Sequence, residues 1–105
     1  MHPEIADRKD EIARICRRYG VRRLDLFGSA ARGTDFDPET SDADFLVEFQ
    51  PPLQPGLFDR FMGLRADLAE TLGRKVDLVR MGTVRRPRLQ AYIDLSRETV
   101  YVAPA

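Results

Sequence analysis

Several features that would direct a protein out of the reduced cytoplasm are missing from this sequence. It has one cysteine, Cys16, which excludes an internal disulfide and a cysteine-based zinc site. No apolar run approaches the ~20 residues that a membrane-spanning helix needs. The first four residues also lack the charged and then apolar layout of a secretory leader. We therefore expect a cytoplasmic protein that has no membrane partner.

The chain also lacks a surplus of charge of either sign. Its 17 lysines and arginines balance 17 aspartates and glutamates. A general nucleic-acid binder needs excess positive charge to neutralise phosphates, so we expect no direct nucleic-acid binding. Hydrophobic residues make up 43% of the 105 residues, which permits a packed core. A length of this size predicts one domain that spans 1–105.

Hydrophobic spacing predicts seven secondary-structure elements in one α/β domain. Apolar residues at helical spacing indicate helices, and Cys16 falls on the apolar face of the first one, where it is expected to pack as a core thiol. The apolar residues that define the buried face of the second helix include Phe58. The predicted helices cover 4–19, 57–72 and 88–95, and the predicted strands cover 22–27, 43–49, 75–79 and 99–102.

A glycine and a serine follow the first predicted strand. Gly28 would allow the backbone to turn sharply and approach a ligand closely. If a short helix begins at Ser29, its free N–H groups form a seat for a phosphate. A tight turn capped by serine explains the same two residues. The glycine spacing fits neither a Walker A loop nor a dinucleotide-binding fingerprint.

Three aspartates are the candidate metal ligands. Asp42 and Asp44 lie two residues apart at the front of a strand, a spacing that places both carboxylates on one face. Asp77 interrupts an apolar strand, where a carboxylate is costly unless it is paired or binds a metal. Asp77 on an edge strand facing water is the competing interpretation. Lys75 either neutralises a phosphate or pairs with Asp77, and the pairing is slightly preferred.

Together, these features predict two-metal phosphoryl or nucleotidyl transfer. A phosphate seat, a carboxylate pair and a third carboxylate across the cleft can hold two cations that stabilise an in-line displacement. The third carboxylate can also help to deprotonate an attacking hydroxyl. Mg²⁺ suits such oxygen ligands.

The same segments resemble the DNA polymerase beta-like nucleotidyltransferase superfamily, and most closely its minimal nucleotidyltransferases (MNT). The resemblance is carried by Gly-Ser at 28–29, Ser-Asp-Ala-Asp at 41–44 and Val-Asp-Leu at 76–78. It implies a nucleotidyltransferase fold, with a small mixed sheet flanked by helices. It also implies that Asp42, Asp44 and Asp77 are catalytic and bind two Mg²⁺ ions, and that ATP is the substrate. The nucleotide-binding residues that it implies are Gly28, Ser29, Arg32 and Ser41.

Members of this branch pair with HEPN-domain ribonuclease toxins, so the resemblance implies a hetero-oligomeric antitoxin that transfers AMP to a tyrosine of the toxin. One departure from the family pattern is a segment at 34–40 that is longer by about two residues, which puts nucleotide preference in question. Arg32 is equally suited to a phosphate and to pairing with Asp35 or Asp37.

Two other functions remain open at this point. The first is that of an antitoxin that neutralises its partner by binding alone. The second is that of a nucleotidyltransferase that modifies a small molecule. A chain of this length has little room for a second domain to enclose a small acceptor, which weighs against the latter. Two segments, 85–93 and 51–58, are candidate contacts for a protein partner. An ordinary terminal helix that packs on the sheet is the slightly preferred explanation of the first of them.

Overall fold

The computed structural model describes residues 1–28, 31 and 42–104, and these form helices on both faces of one sheet. No helix among them is long and apolar enough to cross a membrane. The helices are α1 (Pro3–Ala6), α2 (Lys9–Arg18), α3 (Leu57–Leu72) and α4 (Pro87–Ser96), and the strands are β1 (Val21–Phe27), β2 (Ala43–Phe49), β3 (Val76–Arg80) and β4 (Glu98–Val102).

The strands form a mixed sheet in the order β3-β2-β1-β4. β1 pairs antiparallel with both β2 and β4, whereas β2 and β3 run parallel. A parallel pair needs a crossover connection, and α3 supplies it. The expected small mixed sheet with flanking helices is confirmed, and each predicted strand agrees with an observed strand to within one residue at either end.

The larger part of the core lies between the sheet and the pair α2 and α3. Its buried residues include Ile12 and Ile15 from α2, Leu64 and Leu68 from α3, and Phe45 from β2. A smaller cluster on the opposite face joins α4 to the sheet through Phe27, Leu46 and Ile93. Because side chains alternate along a strand, β2 contributes its other residues, Asp44 and Leu46, to this second face.

Two details of the predicted helices were wrong. The helix expected over 4–19 is divided into α1 and α2, because the N–H of Arg8 donates to the carbonyl of Ile5, three residues back, at 3.0 Å. This tighter turn needs no glycine or proline. Ile5 before it and Ile12 after it are both fully buried, so α1 and α2 pack on the same core. Phe58 does not belong to the core stripe of α3, since 74% of it is exposed.

Cys16 is a packed core thiol, as its position on the apolar face of the helix predicted. It is fully buried, and this burial raises the pKa of its thiol to about 12. Because the thiolate is the reactive form, we expect no modification of the folded chain by iodoacetamide at pH 8. Mass spectrometry with and without urea tests this, and rapid labelling of the folded chain would contradict it.

Candidate active site

Asp44 lies near the start of the central strand β2, directly beside Asp77. Across the sheet, Asp44 pairs with Phe27 of β1 on one side and with Asp77 of β3 on the other. Residues that pair in register point to the same face. Both aspartates are partly buried, and the side chains of Asp44 and Asp77 are within hydrogen-bonding contact. The fold therefore brings together two of the three aspartates that the sequence selects.

The crowding of these carboxyls changes the acidity of Asp44. Burial, the charges of Asp77 and Asp42, and the hydrogen bond with Asp77 all raise the pKa of Asp44, from 3.8 to about 6. Burial is the largest of these causes, because it removes water from the charged form. The folded chain thus holds an unfavourable concentration of negative charge at this point, and a bound cation would relieve it.

Asp42, the third aspartate, lies one residue before β2 and is turned toward the surface. Its Oδ2 lies 3.8 Å from the Nζ of Lys75, and 36% of its side chain is exposed. The preferred pairing of Lys75 with Asp77 is therefore not the one that forms. An exposed pair of this kind contributes little to stability, so Asp42 is held only weakly in this position.

The carboxylates of the three aspartates suit a hard divalent cation, although they are not arranged as a complete metal cage. Among the described residues, no group of three His, Cys, Asp or Glu side chains is arranged as a metal cage. Asp44 and Asp77 nevertheless supply adjacent carboxylate oxygens, which are the ligands that Mg²⁺ prefers while it keeps water or substrate phosphates. The charge of Asp42 also acts on Asp44, so it lies near enough to contribute to the same negative field.

Gly28 ends β1 and lies against Asp44. Its φ of 75° falls in the left-handed region. A Cβ at this position would lie 2.8 Å from Oδ2 of Asp44 and 3.1 Å from the hydroxyl oxygen of Tyr92. The N–H of Gly28 donates to Oγ of Ser96 at 2.9 Å, which ties the turn to α4. Only glycine satisfies both the backbone angle and the close approach to the carboxylate.

A cleft of about 420 Å³ opens beside the two carboxylates. Asp44 and Asp77 provide its acidic groups, and Arg65 of α3 adds a positive charge while its Nε donates to the carbonyl of Val76 at 3.2 Å. Apolar and aromatic side chains form the rest of the wall, namely Phe27, Phe61, Leu78, Val79, Leu89 and Tyr92. An apolar cleft with a few converging charged groups is the usual form of a small-molecule site.

The family of nucleotidyltransferase domains matches this chain over residues 9–102. The chain belongs to this family. Protein adenylyltransferase MntA of Thermococcus cleftensis is 38% identical over 85 residues, which cover 81% of this chain and 78% of that protein. The resemblance to the nucleotidyltransferases, drawn from the three sequence segments, is therefore confirmed.

Solved structures agree with this assignment. A protein assigned to the minimal nucleotidyltransferases superimposes with a TM-score of 0.70 at 32% identity, covering 93% of this chain and 95% of that one. A chain from the complex of a tri-AMPylated Shewanella oneidensis HEPN toxin with an MNT antitoxin superimposes with a TM-score of 0.63, covering 94% and 73% of the two chains. Its identity is 19%, so it supports the fold alone.

The described residues include only part of the set that the sequence selects. Gly28, Asp44 and Asp77 lie together, with Asp42 at their edge. Three of the expected nucleotide-binding residues lie outside the described part of the chain, namely Ser29, Arg32 and Ser41, so their roles stay predictions.

Sequence reasoning missed the residues by which α4 closes the site. Tyr92 lies in the segment 85–93, which the sequence offers as a partner contact or an ordinary terminal helix, and no sequence pattern singles out Ser96. Ser96 Oγ accepts from Gly28 and donates to the carbonyl of Tyr92 at 2.8 Å. A serine near the end of a short helix carries no signal of such a role, because the contact depends on how α4 packs across β1.

Asp25 is the other residue that was missed. It is fully buried on the same side of the sheet as α4, and its two oxygens accept from Nε of Arg23 at 3.0 Å and Nε of Arg97 at 2.9 Å. Arg97 directly follows α4, so the pair fixes the end of that helix on β1. Leu24-Asp25-Leu26 is a carboxylate within an apolar strand, which is the same signal that identified Asp77.

A second acidic hollow, between α2 and α3, does not have the properties of this site. It encloses about 250 Å³ and includes Asp67 among its lining residues. Asp67 accepts from Nη1 of Arg18 at 2.9 Å and from the hydroxyl of Tyr19 at 2.8 Å. Its charge is therefore already compensated, whereas neither Asp44 nor Asp77 forms an ion pair with another described residue.

Substitution of Gly28 tests the close approach at the site. Gly28→Ala is expected to cost about 1–3 kcal/mol through the positive φ. Its Cβ must also displace Asp44, and a misplacement of about 1 Å can lower a rate on the order of 10²-fold. We expect nucleotidyl transfer by the folded fraction to fall by at least about tenfold, as measured by steady-state kinetics alongside urea unfolding.

Gly82→Ala is the matched control for this substitution. Gly82 has a φ of 85°, and a Cβ there would meet nothing within 4 Å. It should lose similar stability and keep its activity per folded molecule. Equal loss of activity in both variants would show that backbone strain, and not contact with Asp44, is responsible.

Proposed function

We propose that this chain is an antitoxin enzyme that transfers AMP from Mg-ATP to a tyrosine of a cognate HEPN-domain ribonuclease toxin and thereby neutralises it. The observation that carries the proposal is the pair of facing carboxyls, Asp44 and Asp77, in a cleft next to Gly28. A relative of this length is a protein adenylyltransferase, and an MNT antitoxin of the same fold is found with an AMPylated toxin.

Each residue of the site has a defined role in this proposal. Asp42 and Asp44 bind Mg²⁺, and Asp77 adds a third carboxylate that accepts the proton of the attacking hydroxyl. The Gly28 turn lets the triphosphate approach the backbone, and Ser29, Arg32 and Ser41 complete the nucleotide contacts. When bound, Mg²⁺ would neutralise charge on the phosphates and stabilise the leaving group.

A protein acceptor suits the open form of the cleft. Tyr92 and Leu89, which line it, are 41% and 37% exposed, so a partner's tyrosine can contact this side of the cleft from solvent. Leu95 is 90% exposed on the same helix and adds to its exposed apolar surface. Such a surface would bind a partner whether or not transfer follows, which keeps neutralisation by binding alone as the second candidate.

The intact mass of the partner distinguishes these two functions. The HEPN-domain protein is incubated with this chain, ATP and Mg²⁺, in parallel with the Asp42→Asn/Asp44→Asn variant. A gain of one or more AMP units that the variant abolishes would support transfer. Suppressed toxin activity without any gain in mass would leave binding alone as the mechanism.

A further inference from the structure

Tyr92 places a phenolic hydroxyl next to the metal-binding carboxylates of this chain. A Cβ added at Gly28 would lie 2.8 Å from Oδ2 of Asp44 and 3.1 Å from the hydroxyl oxygen of Tyr92, so both oxygens lie close to one point. The two oxygens are therefore no farther apart than the sum of those distances. Tyr92 and Asp77 also line the same cleft. A phenol of the acceptor type is thus already present in the site.

The position of this phenol is fixed from two directions. The ring of Tyr92 makes an edge contact with Phe27, with centroids 6.4 Å apart and planes at 88°. Its backbone carbonyl accepts from Ser96, whose Oγ in turn accepts from Gly28. Tyr92 is 41% exposed and lines the cleft, so it is not a core residue.

The other two tyrosines of the chain are placed where they cannot compete. The hydroxyl of Tyr19 donates to Asp67 at 2.8 Å, between α2 and α3. Tyr101 is 9% exposed and belongs to the core cluster on the opposite face of the sheet. Of the three tyrosines, Tyr92 alone shares a cleft with the carboxylates.

We propose that Tyr92 is a self-modification site, at which the chain transfers AMP to its own hydroxyl when no partner tyrosine is bound. This inference rests on the proposed function, because it uses the same nucleotide and the same carboxylates. The Tyr92 oxygen attacks the α-phosphorus of ATP, an oxygen–phosphorus bond forms, and the bond to the β-phosphate oxygen breaks. Pyrophosphate leaves, and the phenolic proton passes to Asp77.

Self-modification would also regulate the site. An AMP joined to Tyr92 stays beside the cleft at an effective concentration on the order of millimolar, so it competes with incoming ATP. A bound partner tyrosine would compete with Tyr92 for the same α-phosphorus. The chain would therefore lose activity in the absence of its partner and keep it in the complex.

The purified full-length chain, incubated alone with ATP and Mg²⁺, tests this inference. We expect its intact mass to increase by one AMP unit, and peptide mapping to locate the adduct on Tyr92. The first-order rate constant should not depend on the concentration of the chain. A rate constant that rises in proportion to concentration would overturn transfer within one molecule.

Conservative variants identify the acceptor. Tyr92→Phe removes only the hydroxyl and should abolish the adduct, whereas Tyr19→Phe should still form it at the wild-type rate. An adduct that persists in Tyr92→Phe, or that maps to another residue of the wild-type chain, would overturn the assignment. Peptide mapping of the wild-type chain gives this result even if a variant folds poorly.

A binding measurement gives a readout that does not depend on turnover. The modified chain, separated from free nucleotide, should bind a fluorescent non-hydrolysable ATP analogue at least tenfold more weakly than the unmodified chain, because the tethered AMP competes for the cleft. Equal affinities would contradict the regulatory consequence.

The same reactions separate this inference from the proposed function. AMP on the HEPN partner, with none on the chain incubated alone, overturns self-modification and leaves the function standing. AMP on neither protein overturns both. AMP on Tyr92 but never on the partner supports self-modification and overturns transfer to the toxin.

Discussion

Replacing Asp44 by asparagine is expected to lower the rate of AMP transfer on the order of 10³-fold. Asparagine has nearly the same shape but lacks the charge that would hold a cation next to Asp77. Loss of about 4 kcal/mol of transition-state stabilisation corresponds to this factor, and a metal ion typically supplies several kcal/mol. Single-turnover kinetics at saturating ATP measure the change directly.

The same substitution should stabilise the chain in the absence of metal. The pKa of Asp44 is raised from 3.8 to about 6 in the folded chain, so its ionisation opposes folding. The free energy of unfolding is therefore lowered as pH rises from about 4 to about 6, on the order of 1–2 kcal/mol after allowance for solvent screening. The Asp44→Asn variant has no carboxyl to ionise at this position, so at pH 8 its free energy of unfolding should exceed that of the wild type.

Glu70→Gln is the control for removal of one negative charge. Glu70 is exposed on α3, away from the Asp44–Asp77 pair. It should leave transfer and the pH dependence of urea unfolding unchanged. Added Mg²⁺ should stabilise the wild type and Glu70→Gln at pH 8 but not Asp44→Asn. An Asp44→Asn variant whose free energy of unfolding changes between pH 4 and pH 8 as much as that of the wild type would contradict the raised pKa of Asp44.

Replacing Asp25 by alanine is expected to give the largest loss of stability. Asp25 is fully buried and accepts from both Arg23 and Arg97, so its removal leaves two guanidinium groups without their shared partner. Breaking a buried ion pair costs about 3–5 kcal/mol, a large part of the 5–15 kcal/mol that typically stabilises a domain. The partial exposure of both arginines places the expected loss near the lower value.

Asp94→Ala provides a matched comparison, because Asp94 contacts the same arginine from the surface. Its Oδ1 lies 3.3 Å from Nη1 of Arg97, and 53% of its side chain is exposed. We expect a loss of no more than about 1 kcal/mol in urea unfolding. Equal losses for the Asp25 and Asp94 variants would show that burial of Asp25 is not what makes the contact strong.

The sequence predicted the strands and the acidic pair well, because both follow from local patterns. Asp44 stands at the front of an apolar strand and Asp77 interrupts another, and a short strand has only one register that keeps its apolar face on the core. Parallel pairing of β2 and β3 then leaves the two aspartates side by side. The division of the first helix was not predictable, since a single tighter turn carries no sequence signal.

The part of the site that comes from α4 could not be predicted from the sequence. Whether Tyr92 faces a partner, the core or the cleft depends on the position of α4 over β1. That position is set by the contact of Ser96 with Gly28 and by the buried pair of Asp25 with Arg97. These contacts join residues about 70 positions apart, and no local pattern reports them.

The most direct test of nucleotidyl transfer compares ATP radiolabelled at the α-phosphate with ATP radiolabelled at the γ-phosphate. The chain is incubated with Mg²⁺ and the HEPN partner, and protein-bound label is measured for the wild type and for Asp44→Asn. Label from the α-phosphate alone, lost in the variant, is the result expected if Asp44 serves nucleotidyl transfer. Label from the γ-phosphate, or α-label that the variant retains, would contradict it.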